Sequence, residues 1–273
     1  MPLVVSPSLV ANTPADELAD RLKRPHIGYH NLLRSRATDV PAPLTNPLTW
    51  DRWTGSQNAA SVIEFSVNNL AAPAPPPYNY IGIASHNLGS RGGGLVTVEK
   101  TDAFGTYLPV VSFSPTTDDA LMVLFDDLTP NGTVDQWRIT IAQAGVAPQI
   151  GALYLGRALV MPHCIYGGHS PATLSRETEI EPNVSIGGRF LGRSIIRRGY
   201  RTDYEFRHLP AQWYREHFEP FVEHALRDPF FIAWKPDKFP AEVLYGWTTD
   251  DLRPVNMGIR DLMSVSFGVE GYR

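Results

Sequence analysis

The chain has 273 residues, of which 43% are hydrophobic and 19% charged, and its formal net charge is −4. This composition supports a buried core and excludes global disorder, and the slight excess of acids makes nucleic acid a poor default partner. Cys164 is the single cysteine, so an intrachain disulfide and a zinc motif built from several cysteines are both excluded.

The first residues show no targeting pattern. No run of about 18 apolar residues occurs, and the basic-then-apolar order of a signal peptide is missing. Residues 14–24 are charged, with Leu18 and Leu22 on one side and Pro25 after them, which predicts a short helix. We expect residues 1–26 to pack on the C-terminal part, and we expect the protein to fold in a reducing compartment such as the cytoplasm.

Residues 38–53 are rich in proline and turn residues, yet they contain Trp50 and Trp53, which favours an ordered loop over a free linker. From residue 61 onward, apolar and polar residues alternate as in half-buried strands. The predicted strands are Ser61–Val67, Tyr80–Ala84, Leu95–Thr101, Tyr107–Phe113, Ala120–Leu128, Gln136–Ala144 and Ile150–Met161. Short strands separated by turns predict an antiparallel sandwich or barrel, not a parallel α/β sheet.

A break in composition at residues 163–178 is interpreted as a linker between two domains. Residues 179–186 and 189–209 then predict two strands. Residues 210–228 predict the one strong helix, and Pro220 is expected to kink it or divide it in two. Three more strands are predicted at residues 230–234, 242–247 and 261–268.

Four segments stand out for their order along the chain. They are PLTNPLTWDRW at residues 43–53, YIGIASHNLG at residues 80–89, QWRITIAQA at residues 136–144 and GALYLG at residues 151–156. In type and spacing this order resembles the discoidin-like, or galactose-binding-like, jelly roll, and the match covers residues 27–162. The His-Asn-Leu-Gly form of the turn is similar to that of structural proteins of tailed bacteriophages.

Residues 179–273 run strand, strand, helix, strand, strand, strand, and include PFFIAWKPDKFPAEVLYGW and MSVSFGVEGY. This pattern resembles the assembly domains of phage distal-tail and tail-hub proteins. The two resemblances imply a mainly β protein, with a jelly-roll β-sandwich at residues 27–162 and a β-barrel-like assembly domain with one packed helix at residues 179–273.

The same resemblances imply a virion structural protein of the distal tail or baseplate, assembled in the host cytoplasm. Its expected partners are itself, in a hexameric or trimeric ring, other tail proteins, and in an accessory role a host surface glycan. The alternative is a stand-alone carbohydrate-binding module for host attachment.

Catalysis is not expected. No Gly-x-Ser-x-Gly elbow occurs, and Cys164 is better explained as part of a boundary loop than as a nucleophile or metal ligand. The paired carboxylates are Asp118 with Asp119, Asp126 with Asp127, and Asp250 with Asp251. They suit solvated turns, although a glycan-cleaving enzyme with two opposed carboxylates is a third hypothesis. No cofactor and no metal site are predicted; a structural calcium in an acidic loop is an alternative.

Two sets of candidate site residues follow. Aromatic and polar residues near the early loops could bind sugar: Trp50, Trp53, Tyr78, Tyr80 and His86. The competing interpretation places Trp53 in the core and makes His86 and Asn87 a structural tie of their turn.

The candidate assembly residues are Arg193, Arg197, Arg198, Trp213, Phe218 and Phe221. Arginines are frequent between residues 189 and 201, which is more typical of an outward strand face paired with acids than of a phosphate-binding strip.

Overall fold

The computed structural model describes residues 20–70, 74–165, 167–258 and 260–272. The helix predicted at residues 14–24 lies mostly outside this range. Within it, none of the helices has the length and apolar character needed to cross a membrane.

Two antiparallel sheets pack face to face as a β-sandwich. The five-stranded sheet contains β2 (Ala37–Thr38), β4 (Ser61–Asn68), β9 (Val134–Ile141), β6 (Val96–Thr101) and β7 (Tyr107–Phe113), in that order. The four-stranded sheet contains β3 (Trp53–Thr54), β10 (Gln149–Gly156), β5 (Tyr78–His86) and β8 (Leu121–Leu128), in that order. The chain crosses repeatedly between the two sheets, as in a jelly roll. Two short helices, α1 (Leu32–Ser35) and α2 (Ala42–Thr45), lie before and after β2 along the chain.

A third antiparallel sheet of eight strands covers the outer face of the four-stranded sheet. Its order is β11 (Leu159–Val160), β1 (His26–Gly28), β14 (Phe230–Ala233), β15 (Val243–Thr248), β17 (Leu262–Tyr272), β13 (Phe190–Pro210) and β12 (Arg176–Val184), with β16 (Val255–Asn256) paired to β17. The predicted fold class, mainly β with one packed helix, is confirmed.

Side-chain alternation explains the layers. In β4 every second residue faces the core of the sandwich, and the others are exposed or half-buried. All nine residues of β5 are buried, because Ile81 and Ile83 face the five-stranded sheet while Tyr80 and Ala84 face the eight-stranded one. Gly82 permits this contact, since a Cβ there would lie 2.6 Å from the ring of Phe231. The four-stranded sheet is therefore a central layer covered on both faces.

The predicted helix occupies the far side of the eight-stranded sheet. It consists of α3 (Ala211–Trp213), a π-helical segment (Tyr214–Phe218) and α4 (Glu219–Ala225), so it is divided near Pro220 as expected. Its buried side chains pack against the sheet residues Phe206 and Phe267. Leu226, which follows the last helical residue, is 55% exposed.

The eight-stranded sheet contains strands from both predicted domains. His26 of β1 pairs with Val160 of β11 on one side and with Ala233 of β14 on the other. The predicted limits at residues 27 and 162 thus fall within or beside strands of the eight-stranded sheet. The sandwich is connected to that sheet at both of its ends.

Candidate functional site

The predicted sugar-binding residues do not form one exposed cluster. Trp50 is 78% exposed, while Trp53 packs partly buried against the sandwich core. Tyr78 and Tyr80 are fully buried, and His86 is 4% exposed, so none of these three rings offers a free face to a sugar. The prediction is corrected at these residues because both faces of β5 are covered.

Tyr78 belongs to a buried polar network at one edge of the sandwich. Its hydroxyl donates to a carboxylate oxygen of Asp135 at 2.8 Å, and Lys100 Nζ lies 2.7 Å from the other oxygen. The backbone N–H of Asn131 donates to the same carboxylate at 2.9 Å. Burial, followed by the charge of Asp135, raises the pKa of Tyr78, so the phenol stays protonated and donates. This network was not predicted from sequence; it stabilises structure and offers no open site.

His86 has the structural role that the competing interpretation assigns to it. Its Nδ1 accepts from the N–H of Leu88 at 3.2 Å, so Nε2 carries the proton and donates to the carbonyl of Asp119 at 2.9 Å. Asn87 bonds to the carbonyl of Ala147 and to the N–H of Gln149. The His-Asn-Leu-Gly turn therefore ties three loops of the sandwich together.

Buried neutral histidines predict a dependence of stability on pH. Burial lowers the pKa of His26, His30 and His86 to about 4 in the folded chain. The unfolded chain binds these protons near pH 6.5, so stability is complete above that pH and is lost as the pH falls toward 4. We expect the free energy of unfolding, measured by urea denaturation, to decrease over this window by about 1.4 kcal/mol per pH unit for each histidine. His86→Gln should remove the contribution of one histidine, about 1.4 kcal/mol per pH unit, from this slope. A free energy of unfolding that stays constant between pH 7 and pH 5 contradicts the assignment.

Among the acidic pairs, Asp118 has a structural role in a turn. Asp118 accepts from the N–H groups of Gly89 and Ser90, both at 2.9 Å, which fixes the turn after β5.

Cys164 is exposed, and its thiol donates weakly to the carbonyl of Lys23. In the described part of the chain, no group of three or more His, Cys, Asp or Glu residues could hold a metal ion.

Strands β12 and β13 form a two-stranded arm at residues 176–199. β13 pairs with β17 from Tyr200 to Pro210, but from Phe190 to Gly199 its neighbour is β12 alone. At about 3.3 Å per residue, the arm extends about 30 Å beyond the sheet. It carries a group of exposed apolar side chains, namely Ile180, Val184, Ile186, Phe190, Leu191, Ile195 and Ile196. Sequence reasoning predicted the two strands but not their separation from the sheet.

The two faces of the arm differ in chemistry. Strand alternation and register define one side of the arm, which we name the apolar face. It carries Ile180, Pro182 and Val184 of β12, and Phe190, Arg193, Ile195 and Arg198 of β13. The other side, named the acidic face, carries Glu177, Glu179, Glu181 and Arg197. Arg197 and Arg201 lie near Glu177, each at 3.9 Å, as expected for an outward face paired with acids.

The predicted assembly residues separate into two groups. Arg193, Arg197 and Arg198 are exposed on the arm. Phe218 and Phe221 are fully buried between the helix and the eight-stranded sheet, which corrects their prediction as interface residues, since the sheet already covers them. Trp213 is half-buried at the start of the π-helical segment.

A cleft of about 490 Å³ lies between the sandwich and the π-helical segment. Its lining includes Arg21, Tyr29, His30, Asn79, Asp127, Arg157, Trp213, Glu216 and His217. Gly156 allows the segment after β1 to approach, because a Cβ there would lie 2.3 Å from the carbonyl oxygen of His30. These residues are far apart along the chain, so no sequence motif predicts the cleft.

Comparisons with known proteins give partial likenesses only. No protein-family model matches the chain, and no curated protein matches it at a significant level. A Ruminococcus gnavus GH29 fucosidase in complex with fucose shares 15% identity over 47% of this chain and 26% of its own, with a TM-score of 0.32. The chain therefore spans about a quarter of the length of that enzyme.

Two carbohydrate-binding modules show weaker likeness. TmCBM61, in complex with β-1,4-galactotriose, shares 16% identity over 39% of this chain and 68% of its own, with a TM-score of 0.24. A mutant of CBM29-2, complexed with cellulohexaose, shares 15% identity over 45% of this chain and 89% of its own, with a TM-score of 0.23. At these TM-scores, the likenesses define neither the fold nor the function of the chain.

Proposed function

We propose that this chain is a non-catalytic structural protein that assembles with copies of itself through the arm, in the distal tail or baseplate of a tailed bacteriophage. The arm is the observation that supports assembly. An isolated two-stranded hairpin is marginally stable in water, and this one exposes Phe190 to 68% and Leu191 to 69%. Contiguous exposed apolar surface of this kind is typical of protein–protein contacts.

The arm is suited to binding through its apolar face and not through its free edge. Pro182 interrupts the outer strand, and register shifts occur after Glu179 and after Asn183. Proline, charge and irregular register at an edge all oppose the addition of another strand. A partner is therefore expected to pack against Phe190 and Ile195 from one side.

Charge complementarity favours a second copy of the chain as that partner. Glu179 and Glu181 on the acidic face, and Arg193 and Arg198 on the apolar face, form no ion pair with any described residue. Copies arranged head to tail bring the acids of one arm toward the arginines of the next. Contacts of this heterologous kind generate a ring when the rotation between copies closes, and a ring is what the phage resemblance implies.

Light scattering of the purified full chain tests self-association. We expect a mass that is a multiple of 30.3 kDa for the wild type, and 30.3 kDa for a variant with Phe190→Glu and Ile195→Glu. Charges on the apolar face oppose burial without touching the core, so the melting temperature should stay constant. Phe104→Glu, at a 93% exposed position between β6 and β7, is the matched control and should associate like the wild type.

Two results contradict this proposal. One is a wild-type mass of 30.3 kDa at every concentration tested, and the other is an arm variant that associates like the wild type. The phage setting has a separate test: antibody labelling of purified virions should mark the tail tip. Unlabelled particles would remove the setting while leaving assembly through the arm intact.

A further inference from the structure

Among the described residues, the cleft between the sandwich and the π-helical segment contains one positive charge without a counterion. Arg21 pairs with Asp127 at 3.4 Å, and Glu216 accepts from Gln212 at 2.8 Å. Arg157 is exposed, and none of the described residues forms an ion pair with it. The cleft therefore presents one guanidinium to a ligand, the group best suited to bind a carboxylate through two parallel hydrogen bonds.

Two buried polar atoms of residues in the cleft lining have no hydrogen-bond partner among the described residues. They are Nδ1 of His30 and Nε of Arg21. Buried polar atoms are nearly always hydrogen-bonded in folded proteins, because leaving one unpaired costs free energy. His30 Nδ1 faces Gly156, where a Cβ would lie 2.9 Å from it, so the groups open to a ligand are the exposed ones of the lining.

The helix supplies an aromatic wall and an unusual backbone. Trp213 lines the cleft half-buried, and its ring lies 5.8 Å from that of His217, centroid to centroid. The segment from Tyr214 to Phe218 is π-helical. Short π-helical segments within α-helices are rare and occur frequently at functional sites. An indole with polar neighbours is the combination that binds sugar rings.

From this juxtaposition we propose that the cleft binds an acidic saccharide of the uronic acid type. Its carboxylate pairs with Arg157, its ring lies against Trp213, and its hydroxyl groups bond to Asp127 and Glu216. An acidic peptide is a poorer fit, because the hydroxyl groups of a sugar donate to Asp127 and Glu216, whereas carboxylate side chains only accept. This site is separate from the early-loop aromatics and does not depend on the arm.

Calorimetric titration of the full chain with tri-galacturonate tests the proposal, with neutral galactotriose and tri-glutamate as comparison ligands. We expect tri-galacturonate to bind at least about tenfold more tightly than either, because one charge-assisted pair distinguishes the acidic from the neutral sugar. Arg157→Ala should weaken tri-galacturonate binding about tenfold or more and leave galactotriose unchanged. Arg253→Ala, at an arginine whose side chain is 83% exposed and lies outside the cleft and the arm, is the matched control and should bind like the wild type.

Three results overturn the proposal: no binding of tri-galacturonate, equal binding by the Arg157→Ala variant, or tri-glutamate binding as tightly as the sugar. Because Arg157 is exposed, its replacement should not change the melting temperature, which separates loss of binding from loss of folding. The arm variant with Phe190→Glu and Ile195→Glu should bind sugar normally, so failure of assembly and failure of sugar binding are measured independently.

Discussion

Replacement of Asp135 with alanine should lower the free energy of unfolding by about 3–5 kcal/mol, measured by urea denaturation at pH 7. Asp135 is fully buried, and Lys100 is 5% exposed, so the substitution leaves an ammonium group buried without its counterion. The same change removes the acceptor of the Asn131 N–H and the nearer acceptor of the Tyr78 hydroxyl, which keeps Asn69 Oδ1 at 3.0 Å. These losses occur together because a single carboxylate serves all three groups.

Two further variants separate charge from packing. Glu99→Ala removes a half-buried pair with Arg138 at the surface, and we expect its cost to stay below about 1 kcal/mol. Lys100→Met combined with Asp135→Ala removes both charges, so it should recover part of the stability lost in the single variant. A loss below about 1 kcal/mol for Asp135→Ala would show that Lys100 reaches water when its partner is removed.

Phe231→Ala should destabilise the chain by about 3–5 kcal/mol and disconnect the sandwich from the eight-stranded sheet. The ring is fully buried between the layers, 4.6 Å from the ring of Tyr245 and 5.3 Å from that of Tyr154, centroid to centroid. The wild type should unfold in one calorimetric transition, because the central sheet shares its core with both neighbours. In the variant we expect a broadened or divided transition.

Trp247→Ala is the matched control, since this aromatic residue lies on β15 and is 45% exposed. It should leave the single transition intact and change the melting temperature little. Two separate transitions in the wild type would contradict the idea that the three sheets form one cooperative unit.

The alternating strands were predictable because their information is local. β4 and β9 alternate over eight residues each, and the structure keeps that alternation. For β5 the sequence indicates only a short apolar strand, and the structure extends it from Tyr78 to His86. The second face of β5 is covered by Phe231 and Tyr245, which lie about 150 residues later in the chain, so the local sequence does not show that the strand is buried on both faces.

The same dependence on distant contacts limited the prediction of sites. Tyr78 and Tyr80 follow a proline-rich loop, which suggests exposure, yet the central layer buries them. The sequence predicted that Arg193 and Arg198 lie on an outward strand face, and both are exposed. It did not predict that this part of β13 lacks β17 as a neighbour, because the strand pairing stops at Tyr200. Arg157 could not be predicted as a site residue, because a single arginine after a strand has no local sequence signature.

The pairing of β1 with β11 has a consequence for the origin and redesign of this molecule. Ile27 and Leu159 are register partners, so the chain leaves the eight-stranded sheet and returns to it at adjacent positions. The jelly roll is therefore an inserted domain between β1 and β11, two adjacent strands of the larger sheet. Another domain inserted at the same place would leave the order of the sheet's strands unchanged. A replacement would have to bring its own apolar strand face, because Phe231, Val243 and Tyr245 would otherwise meet water.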